Sequence, residues 1–185
     1  MTRTELLKRV VVDPNICFGK PVIRGTRIWV ALIVENLADG MSEDELWDFV
    51  ESHKSLQVAT LGRDGAPHLT TLWFALLDGK IAFETYSKSQ KIVNLRRDPR
   101  MAVLLEDGSE YDQLRGVSMN GRAELVEDPS KVERYAGAVM TRNHPGLSAE
   151  QVSAASRMLA NQRTAVVFHP EKIVSWDHRK LGGTY

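Results

Sequence analysis

Hydrophobic and polar positions alternate with a period of two through much of the chain after residue 54. Runs of this kind at 55–62 and 67–77 are joined by Arg63-Asp64-Gly65, and Asp78-Gly79 joins the second run to 80–86. Asp-Gly between such runs is a strong hairpin signal. Further strands are predicted at 100–106, 116–126, 164–168 and 172–176. Short hairpin connections indicate an antiparallel sheet rather than a parallel one.

Helical periodicity interrupts this pattern late in the chain. Apolar residues three and four positions apart predict helices at 87–97, 129–142 and 148–161. Antiparallel strands with helices inserted late predict an α+β protein built on a six-stranded antiparallel β-barrel with peripheral helices.

The amino-terminal segment has a different pattern. Short extended pieces at 10–12 and 21–23 precede a helical pattern over 29–38, which ends before Gly40. Ser42 then begins another helix, and Glu45 stands at the capping-box spacing from it. A helix, a short glycine turn and a second helix form the outline of a helix-turn-helix.

Composition narrows the class of protein. The 185 residues would hold one ordinary domain, or one compact domain with a small appendage, and at 43% hydrophobic and 26% charged they are close to the globular average. Lys plus Arg is 24 and Asp plus Glu is 24, so no net positive field favours nucleic acid or membrane. Cys17 is the single cysteine, and no apolar run approaches membrane-spanning length, so we expect a cytoplasmic protein without membrane partners. The five histidines show no ligand spacing, and no metal site is expected.

The strongest chemical signal lies where a predicted strand meets a predicted helix. Dinucleotide, Walker-type, serine-hydrolase and zinc-protease motifs are absent. Residues 85–91, Thr-Tyr-Ser-Lys-Ser-Gln-Lys, place hydroxyls and two lysines at a helix start, where unpaired N–H groups favour an anion such as phosphate. An N-cap serine with solvated lysines would give the same pattern.

Residues 83–91, continued by Asn-Leu-Arg-Arg-Asp-Pro-Arg at 94–100, resemble the pyridoxamine-phosphate-oxidase-like split β-barrel family. The resemblance extends over residues 47–185. It includes the first hairpin at 63–68, the cofactor-facing strand at 71–74 and a later strand at 115–125. It implies a split β-barrel that works as a homodimer.

The same resemblance implies a set of cofactor-binding residues and leaves the catalytic residues unassigned. The phosphate would lie at the helix start on Thr85, Ser89 and Lys91. The flavin-like ring would lie along Thr70, Thr71, Leu72 and Trp73. Two departures argue against oxidation of pyridoxamine phosphate: Thr70-Thr71 replaces the family's arginine, and Gly116 replaces a ring-contacting glutamine.

The carboxy-terminal residues 175–183, Ser-Trp-Asp-His-Arg-Lys-Leu-Gly-Gly, are similar to the branch of this family that binds the deazaflavin coenzyme F-420. The resemblance implies F-420 as the cofactor, with FMN as the alternative. Tyr86 and Trp176 would line the ring or substrate pocket, or serve as plain core. Arg179 and Lys180 would neutralise an acidic cofactor tail, or remain solvated.

Residues 12–16, 19–28 and 37–42 resemble a short antitoxin-like domain of unknown function with a helix-turn-helix. The resemblance ends near Leu46, which divides the chain into a truncated segment 1–46 and a barrel domain 47–185. DNA is a further candidate partner through this segment. Solvated turn charges are the favoured interpretation of Lys20, Arg24 and Arg27.

The leading hypothesis is an oxidoreductase that uses F-420 or FMN to transfer a hydride to or from a small molecule. Two alternatives stay open. One is a cofactor-sensing DNA-binding regulator, and the other is a barrel that binds haem or stores cofactor without turnover. The substrate and the direction of electron transfer are not specified by the sequence.

Overall fold

The computed structural model describes residues 7–26, 28, 30 and 40–181. The chain forms two compact units. The larger comprises Ser42–Asp107 and Gly116–Ser175, and the smaller comprises the described parts of Met1–Met41, Gly108–Arg115 and Trp176–Tyr185. The domain boundary placed between residues 46 and 47 stays a prediction.

The smaller unit contains a two-stranded antiparallel ribbon of β1 (Val10–Val11) and β2 (Val22–Ile23), as the two short extended runs predict. Two short 3-10 turns, Tyr111–Gln113 and His178–Leu181, also belong to it. The helix predicted over 29–38, Arg27 and the terminal Gly182-Gly183 lie outside the described residues, apart from Val30.

The larger unit is built on a curled antiparallel sheet that forms a half-barrel. Its strands are β3 (Ser55–Leu61), β4 (Pro67–Trp73), β5 (Ala75–Leu77), β6 (Lys80–Tyr86), β7 (Arg100–Asp107), β8 (Arg115–Val126) and β9 (Arg163–Asp177). Their order is β4-β3-β7-β8-β9-β6-β5. β4 and β5 are the two edge strands of this sheet, and Phe74 is the single residue that connects them in the chain. The α+β split-barrel fold is confirmed.

The described sheet has seven strands where the predicted barrel has six, and its strands do not coincide with all of the predicted runs. The run 67–77 divides at Phe74, whose fully buried ring separates β4 from β5. The two strands predicted at 164–168 and 172–176 are instead one continuous strand, β9. Between β5 and β6, Asp78 and Gly79 have φ values of 54° and 70°, which fit the predicted tight hairpin.

Four helices complete the larger unit: α1 (Glu43–Ser52), α2 (Gln90–Arg97), α3 (Pro129–Asn143) and α4 (Ala149–Ala160). The capping box predicted at α1 is present, because Ser42 N–H donates to Glu45 Oε2 at 2.8 Å and Glu45 N–H donates to Ser42 Oγ at 3.3 Å. Within the described ranges, no helix is long and apolar enough to span a membrane.

Arg142 joins α3 to the carboxyl end of α1. Its guanidinium donates to the carbonyls of Glu51 at 2.5 Å and His53 at 2.8 Å, and it lies 4.8 Å from the Phe74 ring centroid. A cation at a helix carboxyl terminus pairs with the unsatisfied carbonyls there. This contact fixes α1 beside the point where the two sheet edges meet.

Candidate functional site

The candidate site begins where β6 ends at Tyr86 and α2 begins at Gln90. Ser89 occupies the N-cap position with extended backbone angles, but its side chain makes no capping hydrogen bond. Its Oγ is buried and has no hydrogen-bond partner within the described part of the chain. The first-turn N–H groups of Gln90 and Lys91 have no intrahelical acceptor, as at any helix start. The turn therefore offers a buried hydroxyl and backbone donors to an anion.

Lys91 adds a partly desolvated positive charge to this turn. Its Nζ donates to Thr85 Oγ1 at 3.4 Å, at the end of β6. Burial lowers the pKa of the Lys91 ammonium, and no charge interaction offsets that effect among the described residues. A partly buried cation without a counter-ion favours an anionic ligand, because pairing would recover free energy lost on desolvation.

The loop between β6 and α2 is held from three sides. Ser87 Oγ accepts from Thr164 Oγ1 at 2.9 Å, and Ser87 N–H donates to the Gln162 carbonyl at 3.0 Å. Arg96 donates to the Ser87 carbonyl at 3.0 Å and pairs with Glu127 at 2.7 Å. These contacts fix the loop without a ligand, which lowers the ordering entropy lost on binding.

A second set of contacts ties α2 to β3. The fully buried Asn94 donates through Nδ2 to Thr60 Oγ1 at 3.0 Å and accepts from Gln90 Nε2 at 2.9 Å. At the other end of the helix, the Arg97 guanidinium donates to the Leu61 carbonyl. The middle and the carboxyl end of α2 are therefore anchored to the same strand.

The four residues expected along the ring divide between two faces of β4. Thr70 pairs with the buried Val58, so it lies on the core side together with Leu72. Thr71 and Trp73 lie on the opposite, exposed face. Successive side chains of a β-strand point to opposite faces of the sheet, so the separation of Thr70 and Leu72 from Thr71 and Trp73 could be predicted from the sequence.

The two faces differ in their chemistry. Thr70 Oγ1 is buried without a hydrogen-bond partner among the described residues. Its face also carries Thr60, which Asn94 of α2 contacts. On the other face, the half-exposed Trp73 ring meets the His144 ring edge-on, with centroids 5.0 Å apart. The polar core-side face is therefore the one that adjoins α2.

Sequence reasoning missed four residues that the fold brings to this region: Thr60, His68, Gln90 and Asn94. His68 Nδ1 is buried and has no hydrogen-bond partner in the described chain. His68, Gln90 and Asn94 also line a cavity of about 550 Å³ beside the turn at residues 62–66. The available signal was weak: Asn94 is a polar residue between the buried Ile92 and Leu95.

The remaining candidates lie elsewhere. Tyr86 is half exposed at the end of β6. Trp176 and the two carboxy-terminal cations belong to the smaller unit, where Arg179 pairs with the buried Asp177 at 2.5 Å and Lys180 Nζ donates to the Gly40 carbonyl at 3.2 Å. Across the described ranges, no three His, Cys, Asp or Glu side chains converge as a metal site would require.

Two family models match overlapping parts of the sequence. Residues 42–177 match the family described as pyridoxamine 5'-phosphate oxidase, and residues 10–54 match a protein family of unknown function, DUF433. The second match continues beyond Leu46, where the sequence resemblance was expected to end. No curated protein matches the sequence.

Several solved structures share the fold. A conserved hypothetical protein of Mycobacterium tuberculosis is 48% identical, with 80% of this chain and 92% of that chain covered and a TM-score of 0.74. An F420 reductase is 24% identical, with 68% and 93% covered and a TM-score of 0.54. A haem storage protein of Vibrio cholerae is 17% identical, with 72% and 94% covered and a TM-score of 0.57.

Proposed function

Because the chain belongs to the pyridoxamine 5'-phosphate oxidase family through residues 42–177, we propose that it is an oxidoreductase that binds a phosphate-bearing flavin or deazaflavin. The observation that carries the proposal is the start of α2. There, the Ser89 hydroxyl is buried and has no hydrogen-bond partner among the described residues, and the Lys91 ammonium is partly desolvated. Both lie beside the backbone N–H groups of a helix start, which have no intrahelical acceptor.

These groups fit a phosphate. Lys91 Nζ supplies a charge-assisted hydrogen bond, while the Ser89 and Thr85 hydroxyls and two backbone N–H groups supply neutral ones. The phosphate in turn gives Lys91 the counter-ion that it lacks. Each group of the site therefore gains a partner on binding.

The isoalloxazine or deazaflavin ring supplies the two-electron chemistry when bound. The protein's task is to bind, orient and exclude water. A planar ring can contact only one face of β4, and we place it against Thr70 and Leu72, since these lie on the α2 side. Thr71 and Trp73 face away, which leaves them available to a second subunit.

F-420 is the proposed cofactor, ahead of FMN. Support comes from the resemblance of residues 175–183 to the deazaflavin-binding branch, and the fold shared with an F420 reductase is consistent with it. The loss of the arginine at Thr70-Thr71 also fits a function other than oxidation of pyridoxamine phosphate.

Titration of the purified protein with F-420, FMN, riboflavin and haem, followed by fluorescence or absorbance, tests the proposal. We expect F-420 to bind more tightly than FMN, and FMN more tightly than riboflavin. Equal or stronger FMN binding would overturn the choice of F-420. Haem binding without flavin or deazaflavin binding would favour a haem-binding barrel, and salt-dependent operator binding without reductase activity would favour a DNA-binding regulator.

A further inference from the structure

We propose that Asn94 is a positioning residue for the cofactor phosphate, and this inference rests on the proposed function. Asn94 does not belong to the groups that would hold the phosphate. Instead, its buried amide sets the position of the first turn of α2 relative to β3.

Asn94 connects α2 to β3 through hydrogen bonds of its side chain. Asn94 is 0% exposed and Thr60 is 2% exposed, and the 3.0 Å bond between them joins residues 34 positions apart. The Asn94 side-chain oxygen, Oδ1, accepts from Nε2 of Gln90, which is the first residue of α2. A single side chain therefore connects the strand, the body of the helix and its first turn.

A hydrogen bond can fix the position of α2 relative to β3 more precisely than apolar contact can. Ile92 and Leu95 pack α2 against the core, but apolar burial is non-directional and tolerates small rotations or shifts of the helix. A buried amide left without a partner is costly, so both of its ends resist such movement. The consequence reaches the site, because Ser89 and Lys91 lie on the turn that Gln90 begins.

Phosphate binding depends on how precisely the first turn of α2 is positioned. Several donors must meet one phosphate at the same time, and functional groups must be held within ~0.5 Å of productive geometry. Riboflavin has the same ring and ribityl chain as FMN but no phosphate. The ratio of the dissociation constants of riboflavin and FMN therefore measures the phosphate contacts separately from the rest of the site.

The decisive variant is the double substitution Thr60→Val with Asn94→Leu. It replaces both partners by apolar groups of similar size, which can leave stability nearly unchanged. We expect a cooperative thermal transition within a few degrees of wild type, together with a loss of roughly tenfold in the riboflavin-to-FMN ratio. Thr60→Ser keeps the hydroxyl acceptor and should retain the wild-type ratio.

Asn143→Leu is the matched control. Asn143 is also buried and donates to a backbone carbonyl, that of Val139 at 2.8 Å, but it lies at the end of α3. This variant should lower the melting temperature without changing the ratio.

Three results would overturn the inference. The first is a folded double variant that keeps the wild-type ratio, and the second is an equal loss of affinity for FMN and riboflavin. The third is a wild-type protein that binds both ligands equally, which would overturn the proposed phosphate site and the inference with it.

Discussion

The Lys91 ammonium donates to the Thr85 hydroxyl across 3.4 Å, joining the first turn of α2 to the last residues of β6. This distance is long for a hydrogen bond, so the bond is weak. The ammonium is also partly desolvated, which lowers its pKa. Lys91 therefore has both the position and the energetic reason to take a stronger, anionic partner.

Lys91→Ala should weaken FMN and F-420 binding by roughly ten- to hundredfold, the effect of losing a charge-assisted bond of ~1.5–3 kcal/mol. Riboflavin binding should change little, because riboflavin has no phosphate. The melting temperature of the ligand-free variant should be equal to or above that of wild type, since an unpaired desolvated charge is removed. Fluorescence titration and thermal melting measure the two effects.

Lys88→Ala is the control for that substitution. Lys88 lies three residues earlier in the same loop and is exposed. An exposed lysine contributes little, so this variant should bind FMN as wild type does. If Lys91→Ala also leaves FMN affinity unchanged, the lysine belongs to a solvated face and the anion site is misplaced.

The same pKa shift predicts a pH dependence. Burial places the pKa of Lys91 below the usual value of ~10.4, and a bound phosphate would favour the charged form. Binding therefore takes up a proton at alkaline pH, and FMN affinity should fall as the pH rises through the lowered pKa. Lys91→Arg stays charged and should keep its affinity over that range. Dissociation constants measured across alkaline pH for both proteins, with riboflavin as reference, check the prediction; parallel curves would contradict it.

Local signals in the sequence predicted most of the fold. The capping box at Ser42, the Asp78-Gly79 hairpin and the helical stripes of α1 to α4 depend on residues close together in the chain, and the structure contains each of these. The division at Phe74 was not foreseen. An uninterrupted β-rich run contains no local signal that a buried ring will separate two sheet edges.

The site was less predictable because its contacts are long-range. The turn at 85–91 could be located from composition, but the Asn94–Thr60 bond and the Ser87–Thr164 bond join residues 34 and 77 positions apart. Such pairs depend on strand order, which periodicity does not determine. The orphaned Ser89 hydroxyl is likewise visible only in the folded structure.

Self-association is predicted through the outer face of β3 and β4. Leu69 is 66% exposed and Trp73 is 49% exposed on this face, and the Gln57 amide oxygen beside them is buried without a partner among described residues. An exposed apolar patch of this kind favours a protein partner. We propose a second copy of this chain, and we expect a dimeric mass in light scattering at micromolar concentration.

Leu69→Glu should shift the protein toward monomer, because it places a charge in the proposed interface. Met158→Glu is the matched control: Met158 is 79% exposed on α4, and its substitution should leave the mass unchanged. A wild-type monomer with full cofactor binding, or a Leu69→Glu variant that remains dimeric, would refute this interface.

A chain that begins at Met41 should fold and bind cofactor nearly as the full chain does. All proposed cofactor-binding residues lie in the larger unit, which begins at Ser42. The Ser42 capping box stays intact in this shorter chain, because both of its hydrogen bonds are made with Glu45. The truncation removes both β1 and β2, so neither strand of this ribbon is left without its partner. We therefore expect a lower melting temperature with little change in FMN affinity.

The N-cap residue of α1, Ser42, provides a control for the stability of the shortened chain. Ser42→Ala in that background should cost a further ~1 kcal/mol, the usual contribution of an N-cap. Two contacts of the carboxy-terminal turn would survive the truncation, because His178 bonds to the Leu114 carbonyl at 2.8 Å and to the Tyr111 carbonyl at 2.9 Å. The bond from Lys180 Nζ to the Gly40 carbonyl, 3.2 Å long, is lost with residue 40. If the shorter chain is insoluble or binds no cofactor while the full chain does, residues 1–40 are integral to the barrel domain, and the boundary near residue 46 is wrong.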